Sequence, residues 1–252
     1  MDGVPVIELD RVYHVGALDP ALRGSLHRSS QEGSCLSVSL CPEAWIEIAR
    51  LGGSDLFALE RDGAVFLDVH AAMADPALRD AIVHWAESEG LIVFREQWKA
   101  WTFDEETETF GYFIAPSREE AEREVDEFAR GPDGGPAVEL HMGYVATPEL
   151  GIRLGCGRFD DTFALDFATM VWARDAVPGL TGRVLDGVWF REAYAPDHYS
   201  APRGGIFPEA LSRWTPLAIA CGSVDDEESL DAMPETILAP LHAAGPASAP
   251  AA

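Results

Sequence analysis

The chain has 252 residues, 47% of them hydrophobic, which is enough apolar material to bury a core without disulfide or metal staples. Forty-three acidic residues against 18 basic ones give a formal net charge of -25, and this charge repels phosphate backbones and anionic lipid surfaces at long range. We therefore expect neither duplex nucleic acid nor a membrane as a direct partner.

The N-terminal part is predicted to contain strands with a helix between them. Segments rich in β-branched and aromatic residues, or alternating at a period of two, predict strands at 4–16, 36–40, 57–60 and 65–69. A helix is predicted at 41–53, because a proline lies in its first turn and glycines stand at its end. An Asp62-Gly63 turn is predicted to join the third strand to the fourth.

The middle of the chain predicts a helix followed by a meander. An apolar face over 76–89, with Gly90 after it, predicts the helix. The strands expected next are 91–94, 97–103 and 112–115, the last pairing with its predecessors across the acidic turn 104–108. Ser117 is predicted to cap a charged helix that reaches about Arg130.

The remaining segments complete an α+β pattern. The glycine- and proline-rich run 131–136 predicts a boundary or hinge. After it we expect two strands, a helix and a loop with proline and glycine: strand 137–144, helix 159–174, strand 187–190 and loop 199–208. We expect mixed or antiparallel sheets with flanking helices, one principal body over 1–238 and a disordered Ala/Pro-rich tail over 239–252.

The cysteines and the N-terminus predict a cytoplasmic location. The four cysteines have no C-x-x-C spacing and are too sparse for a disulfide framework in a chain of this length. The N-terminus lacks the basic and apolar segments of a signal peptide, and no stretch approaches the roughly 18 apolar residues of a membrane span. Since His27, Cys35 and Cys41 match no standard zinc spacing, no metal is expected.

Three short segments combine strand-like surroundings with polar residues that a core strand would not choose. They are Tyr13-His14-Val15-Gly16, Leu36-Ser37-Val38-Ser39, and 186–192 with the following 200–204. Their order resembles the ADP-ribosyltransferase superfamily, in particular its His-Tyr-Glu branch of diphtheria-toxin-like and poly-ADP-ribose-polymerase-like enzymes. In that family an early strand carries Tyr-His-Gly, a second strand places an aromatic residue or a serine beside the nicotinamide, and a late strand contributes a glutamate.

The resemblance implies an NAD site and a role for each residue. Glu192 would orient the ribose and stabilise the positive charge that develops when the N-glycosidic bond of NAD breaks. His14, Ser37 and Ser39 would hydrogen-bond the ribose and the carboxamide, and Arg203, on a glycine-flanked loop, would meet a phosphate.

No tyrosine occupies 36–40, so Trp45 or Tyr13 would supply the aromatic face beside the nicotinamide. The implied activity is ADP-ribosyl transfer from NAD to an unknown acceptor, or hydrolysis of NAD.

Each assignment has a structural alternative. His14 fits a half-buried, hydrogen-bonded histidine, and the serines fit the polar side of an amphipathic strand. Glu192 is one of 43 acidic residues, and Arg203 could simply fix its loop. Asp186 and Glu139 are the next carboxylate candidates, since they flank the same predicted strands.

The alternative function is a non-enzymatic acidic interaction protein, such as an immunity or antitoxin-type partner of a basic protein. Its support is the net charge of -25, which speeds association with a partner of opposite charge.

Overall fold

The computed structural model describes residues 3–16, 18, 35–42, 46, 55–104, 108–125, 129–155, 163–190 and 203–219. By its internal contacts the chain divides into two compact units, Met1–Arg79 with Ala173–Ala252 (the first unit) and Asp80–Trp172 (the second unit). Helices and strands occur in both, with mixed and antiparallel pairing, which confirms the α+β fold class. Among the described residues no helix is both long and apolar enough to cross a lipid bilayer.

The elements are numbered in chain order. The strands are β1 Val6–Glu8, β2 Arg11–Val15, β3 Leu36–Ser39, β4 Leu56–Glu60, β5 Val65–Asp68, β6 Ile92–Asp104, β7 Thr109–Ala115, β8 Val138–Ala146, β9 Gly187–Phe190, β10 Arg203–Ile206 and β11 Thr215–Ile219. The helices are α1 Val69–Ala74, α2 Pro76–Ser88, α3 Arg118–Glu124, α4 Pro148–Leu154, α5 Ala164–Asp175 and α6 Val177–Thr181. Short 3-10 helices span Pro132–Gly134 and Pro208–Arg213.

The first unit contains an eight-stranded mixed sheet in the order β1-β5-β9-β10-β3-β2-β4-β11. Its β5–β9 pair is parallel and its other pairs are antiparallel. The Asp62-Gly63 turn joins β4 to β5 as predicted, but these strands do not pair with each other. Asp10 accepts a hydrogen bond from Gly63 N at 2.8 Å, and β1 pairs with β5 while β2 pairs with β4. The turn is therefore a bend between two consecutive antiparallel pairs, β2 with β4 and β1 with β5.

The core of this sheet lies around β5 and β9. Every residue of β9 is buried, and α1, capped by the side chain of Asp68, packs against both strands. The ring of Phe66 meets Trp189 and Trp214 edge-on, with centroid separations of 6.1 and 6.0 Å. Such aromatic contacts stabilise a core beyond the area they bury.

The second unit contains a three-stranded antiparallel sheet in the order β7-β6-β8. The predicted pairing of 112–115 with the preceding strand is confirmed. The predicted meander is wrong, because β6 is one 13-residue strand where two were expected and it lies between β7 and β8. Helix α3 begins after Ser117 as predicted but ends at Glu124, because Val125 adopts extended backbone and packs against the cluster of Ala100, Ala115 and Ala121. The expected boundary at 131–136 contains a 3-10 turn in which Gly135 N donates to Pro132 O at 3.0 Å, and Gly131 N donates to Gly135 O at 2.9 Å. The predicted tail lies outside the described residues.

Candidate functional site

The three motif strands of the first unit belong to one sheet. β2 pairs with β3, β10 pairs with β3, and β9 pairs with β10. This confirms that the Tyr13 strand and the Ser37 strand lie side by side and that the Trp189 strand shares their sheet. β10 stands between the second motif strand and the third.

The register places one residue from each strand in a single row. Tyr13 lies opposite Ser39, Ser39 opposite Arg203, and Arg203 opposite Phe190. Residues that face each other across paired strands project from the same side of the sheet, and Ser37, two positions from Ser39, shares that side. We call this side of the sheet the row face. It brings together four of the predicted site residues, Tyr13, Ser37, Ser39 and Arg203.

Arg203 does not lie on a loop, so that prediction is wrong. It is the first residue of β10, in the interior of the sheet, and is only 8% exposed. The glycines after it indicated a loop, but they serve close packing. A Cβ on Gly204 would lie 2.3 Å from Cε3 of Trp189, and one on Gly187 would lie 2.1 Å from the carbonyl oxygen of Gly205.

The guanidinium of Arg203 is positioned by an aromatic ring. Its Cζ lies 5.3 Å from the centroid of Phe190. A partly desolvated cation over a ring face is attracted by the quadrupole of the ring. Sequence analysis missed Phe190, because a strand buried on both faces carries apolar residues throughout and nothing marks one of them as special.

His14 faces away from this row. It follows Tyr13 directly in β2, and successive side chains of a strand point to opposite sides of the sheet. The imidazole is only 7% exposed, and its Nδ1 lies 2.8 Å from the carbonyl oxygen of Ser37. Since a carbonyl only accepts, Nδ1 carries the proton and donates it. The expected convergence of His14 with the serine hydroxyls is therefore not found; the ring contacts β3 through its backbone.

Gly16 completes the surroundings of this histidine. A Cβ at Gly16 would lie 3.6 Å from Nε2 of His14, and the glycine has a φ of +125°, a conformation that side-chain-bearing residues rarely adopt. The Tyr-His-Val-Gly segment thus has a local structural reason for its glycine.

The two serines differ in what their hydroxyls do. The Ser39 hydroxyl accepts from Cys41 N at 3.0 Å and donates to the Cys41 carbonyl at 3.2 Å, fixing the turn that follows β3. The Ser37 hydroxyl is buried and has no hydrogen-bond partner among the described residues. A buried hydroxyl without a partner is costly, so Ser37 is the better placed of the two to bond a ligand.

Two of the predicted site residues, Glu192 and Trp45, lie outside the described residues. In the sequence, Glu192 comes two residues after Phe190, the last residue of β9.

Asp186 and Glu139, the next carboxylate candidates, have structural roles. Asp186, only 1% exposed, accepts from Val65 N at 2.9 Å and pairs with Arg61 and with Arg213, the latter at 2.9 Å. Glu139 accepts from Nε1 of Trp101 at 3.1 Å on β8 of the three-stranded sheet. The expectation that the two acids flank the same strands is wrong, because Asp186 directly precedes β9 of the eight-stranded sheet and Glu139 lies in β8 of the three-stranded sheet.

Within the part of the chain that the structure describes, no group of three or more His, Cys, Asp or Glu side chains could hold a metal ion. Comparison of the chain with models of protein families, with curated proteins and with solved structures gives no match. The geometry and the residue types therefore carry any functional assignment.

Proposed function

We propose that this protein uses NAD as a substrate, either transferring ADP-ribose to an acceptor or hydrolysing the N-glycosidic bond. The observation that supports the proposal is the row formed by the motif strands. Tyr13, Ser39 and Arg203 share one face of neighbouring strands, and the row ends on Phe190, two residues before Glu192. The row face contains four of the residues that the resemblance to ADP-ribosyltransferases assigns to the site, whereas His14 lies on the opposite face of the sheet.

The row residues have chemistry that suits a dinucleotide. Arg203 is a permanent cation with donors spaced for a phosphate, and the net charge of -25 makes such a local cation necessary for holding an anion. Ser37 offers a hydroxyl to the ribose or the carboxamide, and the half-buried ring of Tyr13 offers a surface for the nicotinamide. His14 acts from behind the sheet, fixing the Ser37 backbone.

The reaction moves positive charge from the nicotinamide ring to the ribose. The bond between the ribose C1′ and the nicotinamide nitrogen breaks, the electron pair leaves with nicotinamide, and the ribose becomes oxocarbenium-like. The carboxylate of Glu192 would stabilise this cation and orient the 2′-hydroxyl, after which water or an acceptor nucleophile attacks C1′ and loses its proton.

Glu192→Gln tests the proposal, because glutamine keeps the shape of the side chain and removes its charge. We expect the wild-type protein to release nicotinamide from NAD, measured by liquid chromatography, and the variant to be slower by roughly a hundredfold or more. Melting curves of the wild type and the variant show that both are folded. Glu119→Gln, at an exposed position of α3, is the matched control. Absence of nicotinamide release from the wild type, or equal rates for Glu192→Gln and Glu119→Gln, would refute the proposed enzymatic activity at this site.

A second function, binding of a basic protein, is favoured by a different observation. Several large apolar side chains of the three-stranded sheet are exposed, among them Phe103, Phe110 and Tyr112. Exposed apolar patches of this kind mark interaction surfaces. For either function we propose a cytoplasmic setting, supported by the four sparse cysteines of the sequence, which have no C-x-x-C spacing.

A further inference from the structure

The hairpin formed by β6 and β7 has four aromatic side chains on one face. Trp101 lies opposite Tyr112 and Phe103 opposite Phe110, so all four project from the same side of the sheet. Their rings are in contact, with centroids 5.5 Å apart for Trp101 and Tyr112 and 5.0 Å apart for Phe103 and Phe110. Phe110 is 42% exposed and Tyr112 is 47% exposed. We call these four residues the aromatic face.

The aromatic face is held in place and already binds a cation. Nε1 of Trp101 donates to Glu139 at 3.1 Å, which fixes the indole. The Nζ atom of Lys99 lies 4.2 Å from the centroid of Trp101 and 4.3 Å from that of Tyr112. Ring faces attract ammonium and guanidinium groups, so these rings show a preference for positive charge.

The outer edge of the hairpin is formed by β7. β7 is an edge strand, and among the described residues it pairs only with β6. Its sequence Thr-Phe-Gly-Tyr-Phe-Ile-Ala contains no charged residue and no proline, the devices that normally keep edge strands from pairing. An extended segment beside β7 would place alternate side chains next to Phe110 and Tyr112.

The charge of the second unit indicates what kind of segment would bind beside β7. The second unit has 20 acidic residues against seven basic ones in its sequence. A second copy of the chain, itself at -25, would be repelled. A segment that alternates apolar residues with lysine or arginine would instead be attracted over a long range and would place cations near the rings.

We propose that the aromatic face and the β7 edge form a docking surface for an extended, basic segment of a partner protein. The inference rests on the binding function proposed above and is independent of NAD turnover. Apolar side chains of the partner contact Phe110 and Tyr112, while its cations meet the ring faces and the surrounding negative field.

A labelled short peptide of alternating lysine and leucine provides the probe, and fluorescence anisotropy measures its Kd. We expect binding that weakens as salt rises, and weakening of about tenfold or more when Phe110→Ser and Tyr112→Ser are combined. Ile152→Ser is the matched control, because Ile152 is 73% exposed on α4 of the same unit, and it should leave the Kd unchanged. Melting curves show that each variant is folded.

Three results would overturn the docking surface: no binding of the lysine peptide, equal binding of a glutamate-leucine peptide, or an equal loss in Ile152→Ser. Sedimentation velocity adds a fourth, since a dimer that the hairpin variant dissolves would assign the face to a second copy. Nicotinamide release is measured on the same proteins. Failure of peptide binding with turnover intact, or the reverse, separates this inference from the NAD proposal.

Discussion

Gly187 and Gly204 set how closely β9 and β10 approach each other. A Cβ at Gly187 would lie 2.1 Å from the backbone oxygen of Gly205, and one at Gly204 would lie 2.6 Å from the backbone oxygen of Val188. Backbone atoms of two paired strands cannot move aside without breaking the ladder. These glycines therefore hold Arg203 and Phe190 in register.

Gly187→Ala should destabilise the protein strongly, whereas Gly179→Ala should not. Overpacking of a buried site costs about 1–3 kcal/mol, and the backbone contact at Gly187 places this substitution at the upper end. An added Cβ at Gly179, in α6, meets nothing within 4 Å, and alanine is the better helix former by about 1 kcal/mol. Urea unfolding measures the free energy of unfolding of both variants. Equal stabilities would contradict the close approach of the strands.

His141 should titrate below its ordinary pKa of 6.5. Burial lowers the pKa of this imidazole most, the charge of Lys99 lowers it further, and Glu139 opposes both effects. Because the folded state binds this proton less readily than the unfolded state, the contribution of His141 to stability is present above pH 6.5 and is lost as pH falls through the folded pKa. NMR titration of the ring protons checks the direction, and Lys99→Gln should raise the pKa. A wild-type value above 6.5 would contradict the environment described for β8.

At the scale of single residues, the sequence predicted what depends on local pattern. The alternation of Ser37 and Ser39 along β3 is local, and it puts both on one face. The position of Arg203 is not local, because the glycines after it fit inside a sheet only when Trp189, on another strand, packs over them. Alternation along β2 already implies that His14 and Tyr13 face opposite sides of the sheet. The resemblance nevertheless assigned both residues to one site, because they are neighbours in the sequence motif.

Helix α3 shows how an element can start and stop for different reasons. Its start is local, since the Ser117 hydroxyl accepts from Glu120 N at 3.2 Å. Its end depends on tertiary contact, because Val125 packs against alanines of β6 and β7. Charged residues continue the helical pattern beyond that point, so the sequence predicted a longer helix.

Ser117→Ala should lower the free energy of unfolding by about 1 kcal/mol, as expected for loss of an N-cap. Ser88→Ala serves as the control, because Ser88 is an exposed residue at the end of α2 whose hydroxyl bonds the carbonyl of Trp85. Its loss should change stability by less than about 0.5 kcal/mol. Thermal unfolding followed by circular dichroism compares them, and an equal effect would mean that the cap does not stabilise α3.

At the scale of the whole molecule, the net charge and the fold class were accessible from the sequence but the strand order was not. Most strands of the eight-stranded sheet were found at nearly the predicted positions, but β10 was expected to be part of a loop and β11 was not predicted. Their order brings β9 and β10, late in the chain, next to β5 and β3, and such long-range pairing leaves no local signal. The single body expected over 1–238 stays a prediction.

The two proposals lie in different units, so each can be altered separately. The row face belongs to the first unit and the aromatic face to the second. Substitutions in the hairpin should therefore leave nicotinamide release unchanged.

Hydrogen-deuterium exchange with and without NAD tests the central claim, that NAD binds at the row face. We predict slower exchange on NAD addition in the peptides that carry Tyr13, Ser37 to Cys41 and Arg203, because a bound ligand suppresses local opening. Peptides of β6, β7 and β8 in the second unit should exchange as before. Unchanged exchange throughout the chain at saturating NAD, or slowing confined to the three-stranded sheet, would contradict an NAD site at the row face.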